Sequence, residues 1–109
     1  MTTQVQTVFL YGPNGGRKFS KTQTDTTAAE ITTTTGTYSL GDIMRGQQIT
    51  HYMAEFAAGI GAAWIRNKAS GENKAVLAND VIGEMRYRKL DKPVTIQEGD
   101  VLEGYVDVA

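Results

Sequence analysis

Apolar positions along this chain recur mostly every second residue, in short stretches divided by turn residues. Gln4 to Tyr11 is the first, with Val8 and Leu10 on one side of an extended backbone and Val5, Phe9 and Tyr11 on the other. Gly12-Pro13-Asn14-Gly15-Gly16 then ends that strand with consecutive breakers. In the closing run, Leu102, Val106 and Val108 share a side with Gly104, while Val101, Glu103, Tyr105 and Asp107 take the other. A nearly apolar side backed by a mostly polar one predicts a strand that covers one face of a core. Glu98-Gly99-Asp100 ahead of it is turn chemistry, and Pro93 suits the first residues of a strand or an edge. Ala62–Asn67, a turn over Lys68–Asn73 and Lys74–Asn79 predict a hairpin, with Gly71 free to take a positive φ. Glu84 to Leu90 alternates strictly, Met85 and Tyr87 against Glu84, Arg86 and Arg88, and Asp91-Lys92-Pro93 is expected to turn the chain into its last strand.

The middle of the chain carries two periods at once. Ile49, Tyr52, Met53, Phe56, Ile60, Ala63 and Trp64 also satisfy helical spacing. Gly59 and Gly61 stand against a helix, since each costs about 1 kcal/mol in its interior. The expectation is a strand over Gln48–Phe56, a bend over Ala57–Gly61 and a strand over Ala62–Asn67. A helix over 49–64 would instead make the domain α+β. Tyr38 to Gly46, with two glycine breaks, predicts a short strand running into a turn. Phe19 to Thr37 is rich in threonine, which is β-branched and tolerates water on both faces. With few large apolar residues besides Phe19 and Ile31, this part is expected to own no core and to form edge strands or an extended arm. The sum is an all-β chain, an antiparallel β-sandwich in one domain over 1–109. Within it, 1–37 supply a strand plus the Thr-rich arm, and 38–109 the sandwich core.

Composition narrows the functions open to such a fold. A chain of 109 residues supports one domain with a modest core. Lys+Arg 11 against Asp+Glu 12 leaves a net charge of −1, which argues against a nucleic-acid partner. Cysteine is absent, and disulfides, thiolate catalysis and Cys-based zinc sites go with it. Met1 to Thr7 shows no basic segment followed by an apolar one, so no secretory signal is expected. The most apolar run, Ala54 to Ile65, contains Glu55 and falls short of the roughly 20 residues that a membrane helix needs. A soluble protein without membrane insertion is the expectation.

Candidate chemistry is sparse. Counting from Gly12, a phosphate-binding loop would need glycine where Arg17 stands and a hydroxyl where Phe19 stands, so a plain loop between strands is expected. His51, the one histidine, shares its strand side with Ile49, Met53 and Glu55 and has no neighbouring ligand cluster, which points to a sheet surface or interface and not to a metal. Ser20, Ser39 and Ser70 lie in polar or turn contexts without a nucleophile elbow. Glu98 and Asp100 flank Gly99 in a turn, where exposed carboxylates are ordinary. Trp64 is expected to face inward with Val76, as the largest core residue, and Tyr105 to face solvent. No catalytic, cofactor or metal residue is assigned, and no enzyme activity is expected. Charge position supplies the remaining clue. Arg86, Arg88, Lys89 and Lys92 gather before the last strand, and Glu98, Asp100, Glu103 and Asp107 along it. They either pair between neighbouring strands or meet their opposites on another subunit. The candidate interface is therefore Arg86, Arg88, Lys92, Glu103, Tyr105 and Asp107.

The polar hairpin around Asn67–Lys74, the strand ending Arg88-Lys89-Leu90, the phrase Lys92-Pro93-Val94-Thr95-Ile96-Gln97-Glu98-Gly99-Asp100 and the final strand together resemble small jelly-roll sandwiches. These recur in virion coat, vertex and fibre-head proteins and in carbohydrate-binding modules. The resemblance covers about residues 48–109 and rests on pattern. It implies a structural protein of a virus particle that forms homo-oligomers and contacts other shell proteins. A carbohydrate- or ligand-binding module using exposed aromatic rings is the alternative.

Overall fold

The structure, a computed structural model, describes residues 4–23, 28–33, 36–56, 60–82 and 87–107. Strands β1 (Gln4–Gly12) and β2 (Gly15–Gln23) form a tight hairpin across Pro13 and Asn14, with Val8 opposite Phe19 and both buried. Gly12, Gly15 and Gly16 are thus hairpin residues, Gly15 at φ 106°, as the expectation of a plain loop between strands has it, and the chain runs on from them as β2. Next come β3 (Ala29–Glu30) and β4 (Thr32–Thr33), one helical turn α1 (Leu40–Ile43), and then β5 (Gln48–Phe56), β6 (Ile60–Asn67), β7 (Asn73–Ile82), β8 (Arg88–Thr95) and β9 (Asp100–Asp107). They make two antiparallel sheets, a first in the order β4-β2-β1-β5-β8 and a second in the order β3-β9-β6-β7. The chain crosses from the first sheet to the second after β5, returns at β8 and leaves again for β9. The result is an all-β sandwich of two antiparallel sheets. No helix among the described residues is long and apolar enough to cross a membrane.

The core lies between the sheets. Val8, Leu10, Phe19, Ile49 and Ala54 point into it from the first, and Ala63, Ile65, Leu77 and Leu102 from the second. The Thr-rich part contributes more than its composition promised. Phe19 and Ile31 are both fully buried, and residues 29–33 form a strap. Ala29 and Glu30 pair with β9 of the second sheet, the Ile31 N–H donates to the carbonyl of Leu102, and Thr32 and Thr33 pair with β2 of the first sheet. One flank of the sandwich is closed by this crossing.

Two sequence expectations need correction. Tyr38 to Gly46 is not a strand entering a turn. Leu40, Ile43 and Met44 stand three and four residues apart, so a single helical turn carries all three toward the core and plugs one end of the sandwich. The turn closes at Met44, whose N–H donates to the carbonyl of Leu40; Gly46, two residues on, takes φ 82° and its N–H donates to the carbonyl of Ile96. Second, Asp91-Lys92-Pro93 does not turn the chain but lies within β8. The strand is an edge, and its pairing with β5 is irregular. Ile49 pairs with Val94 and His51 with Lys89, so two steps on β5 match five on β8. Such a bulge on an edge accommodates a proline that can donate no ladder bond. Residues 83–86 lie outside the described residues, so the alternation of Glu84, Met85 and Arg86 is not tested. Residues 57–59 of the bend expected over Ala57–Gly61 are outside them too, and its last two, Ile60 and Gly61, already belong to β6.

Candidate binding surfaces

The irregularity on β5 also decides which side chains face water. Ile49 is buried, and so is Ala54, five residues on. An odd separation puts both inside only because the strand flips its faces at the bulge. His51 and Met53 therefore lie on the outer face, opposite to Ile49 and not beside it. On that face Lys18, Phe9 and Met53 form one cross-strand row, and Gly16, Tyr11, His51 and Lys89 form the next. The rings touch. Phe9 and Tyr11 stack with centroids 6.2 Å apart, Tyr87 meets Tyr11 edge-on at 5.3 Å and lies parallel to His51 at 4.8 Å. The Lys18 ammonium stands 6.0 Å from the centre of Phe9. Gly16 leaves room for Tyr11, whose ring edge occupies the space a Cβ would fill. Tyr87 is 60% exposed and the others are half-buried. A run of four rings thus covers the outside of the first sheet. Of these, His51 was expected at a sheet surface, whereas alternation set Tyr87 with Met85, away from the charged side of its strand; Phe9 and Tyr11 share the side of β1 opposite Val8 and Leu10.

The second sheet has its own outer face, and Trp64 is on it. With Ala63 and Ile65 inward, Trp64 points out, paired across the strands with Val76, which is 58% exposed. The expectation of an inward Trp64 is overturned by the alternation itself, because a small residue and a branched one fill the space between the sheets. The Trp64 indole N–H donates to Glu103 Oε1 at 3.0 Å, and Arg66 donates to both oxygens of Glu103 at 2.7 and 3.0 Å. The Tyr105 ring meets Trp64 edge-on at 6.0 Å and is half-buried. Arg66 holds the Glu103 carboxyl below its ordinary range, against the opposing effect of burial.

The proposed interface residues are thus divided. Glu103 and Tyr105 share the outer face of the second sheet. Arg88 and Lys92 are exposed on β8, at the edge of the first sheet, and pair with no carboxylate among the described residues. Arg86 and the side chain of Asp107 lie outside the described residues, although the Asp107 backbone pairs opposite Ile60. Of the two alternatives for these charges, pairing of β8 cations with β9 acids is not seen among the described residues, and the two strands belong to different sheets. Instead Glu103 pairs with Arg66, Asp100 with Lys74, and Glu30 with Lys68.

Asp100 departs most from expectation. Glu98 is exposed as anticipated, whereas Asp100 is fully buried. Its Oδ1 accepts from Asn67 Nδ2 at 2.8 Å, and its Oδ2 accepts from Lys74 Nζ at 2.6 Å and from the Gln97 N–H at 2.7 Å. Lys74 Nζ also donates to the carbonyl of Thr95 at 2.6 Å, tying β7 of the second sheet to β8 of the first. Burial alone would raise the Asp100 carboxyl, but these donors outweigh it and hold the group below the usual range. Beside this cluster, along the flank between β7 and β8, run two shallow grooves of about 300 and 370 Å³. Among the described residues, no group of three or more His, Asp or Glu side chains is placed to share a metal ion. Comparison with protein families, with curated proteins and with solved structures finds no match to this chain.

Proposed function

We propose that the protein is a non-enzymatic structural component of a virus particle, a coat, vertex or decoration subunit that acts by self-association and by contact with other shell proteins. The observation that carries this reading is the aromatic run Phe9–Tyr11–Tyr87–His51 on the outside of the first sheet. Aromatic rings are enriched at protein interfaces, and covering their apolar area is favourable by about 25 cal/mol per Å². The sheet edges support contact through faces. β3 and β4 are two residues long, β7 changes register three times against β6, and β8 carries Pro93 beside Lys89, Asp91 and Lys92. Each is a device that blunts strand-by-strand growth into fibres. The assignment to a particle rests on the resemblance of residues 48–109 to jelly-roll shell proteins.

Light scattering with negative-stain imaging of the purified protein tests the reading. Rings, shells or discrete oligomers are expected, and Tyr11→Ser with Tyr87→Ser should return them to monomers while the fold persists. A wild-type chain that stays monomeric up to millimolar concentration contradicts it.

A further inference from the structure

Independently of any self-association, we propose that the outer face of the second sheet is a binding site for neutral sugars, with pyranose rings stacking on Trp64 and Tyr105. One line of residues crosses this face, Glu30 on β3, Glu103 on β9, Trp64 on β6 and Val76 on β7. Trp64 is held before any ligand arrives, its indole N–H clamped by Glu103 and its ring braced by Tyr105. A ring already fixed costs no ordering entropy on binding, which is where weak ligands lose most of their affinity. The electron-rich faces of Trp and Tyr attract the slightly positive C–H groups that a pyranose presents on one side. Around the rings, Arg66 and Glu103 form a planar two-point pair, and Lys68 stands 3.8 Å from Glu30.

The charges decide the class of ligand. Two cations and two carboxylates cancel, so a polyanion finds no net attraction here and an acidic or basic protein surface finds no complement. A second protein would also have to strip water from both ion pairs, at a cost their attraction does not repay. A neutral ring with one C–H face and a rim of hydroxyls suits this surface, since each hydroxyl both donates to a carboxylate oxygen and accepts from a guanidinium or ammonium N–H.

The chain contains one tryptophan, so the indole N–H resonance and the tryptophan fluorescence both report on Trp64 alone. The full chain is titrated with methyl glycosides of glucose, galactose and mannose, with lactose and cellohexaose, and with sialyllactose as the charged comparison. A saturable shift of the indole signal with at least one neutral saccharide is expected. Tyr105→Ala should weaken it about tenfold, the loss typical of a stacking residue. Val76→Arg, a change at an exposed position beside Trp64, should block the ring without disturbing the core and weaken binding by a similar factor. Tyr87→Ala on the opposite sheet should leave the affinity unchanged. The proposal is overturned if no neutral saccharide moves the signal, if both Tyr105→Ala and Val76→Arg bind as the wild type does, or if sialyllactose binds better than lactose.

Discussion

The carboxylate of Asp100 accepts three hydrogen bonds while fully shielded from water, and its donors come from β6, β7 and the turn before β9. Breaking a buried ion pair by removing one partner typically costs about 3–5 kcal/mol; here Lys74 is partly exposed and can rehydrate, so Asp100→Ala should cost about 2–3 kcal/mol. For a domain of this size that lowers the melting temperature by roughly 10 °C. Because its folded pKa lies below the unfolded value of about 4, its stabilisation is complete above that value and disappears as the pH falls through the folded one. Glu103 acts in the same direction through Arg66. Melting temperatures should therefore decline steadily from about pH 5 to about pH 2, and Asp100→Asn should flatten part of that decline. Gln6 presents the opposite case. It is fully buried against Gly104, and neither amide atom finds a partner among the described residues. An unsatisfied buried polar group costs about 1–3 kcal/mol, so Gln6→Met should raise the melting temperature by a few degrees in a calorimetric scan.

The strap of residues 29–33 belongs to the scale of elements. Ile31 is buried where the strap passes from one sheet to the other, so Ile31→Ala should cost about 2–4 kcal/mol in denaturant unfolding, more than a surface position would. A loss below about 0.5 kcal/mol, the range of surface changes, would show that the strap does not hold the flank closed. Much of this architecture was legible from alternation. β1 and β9 follow from residues such as Val8 and Leu10 because period two survives wherever the ladder is regular, and β5 and the β6–β7 hairpin follow from stretches such as Ala63 to Ile65 although bulges interrupt their ladders. What escaped notice did so for definite reasons. The helical turn at Leu40 is too short to show a period. The faces of Ile49 and His51 are exchanged by a bulge that no local pattern announces. Asp91-Lys92-Pro93 has turn composition, and only its place on an edge lets it stay extended. Trp64 was expected inside on size alone, although Ala63 and Ile65 beside it already claimed the inner side. The burial of Asp100 depends on Lys74 and Asn67, distant in sequence and joined to it only by the fold.

At the scale of the molecule, the two outer faces differ in kind. The first sheet shows a run of rings flanked by cations on β8 that pair with no carboxylate among the described residues, and the second shows aromatic residues set among compensated charges. With the edges blunted, the first face is where copies of the chain should meet. The absence of native cysteine makes a direct measurement possible. Single cysteines are placed at Met53, in the middle of the ring-bearing face, and at Val76, on the other sheet, and each variant is treated in dilute solution with a short bismaleimide cross-linker. The account predicts covalent dimers from Met53→Cys and monomers from Val76→Cys. Equal cross-linking of the two, or dimers from Val76→Cys alone, would contradict it.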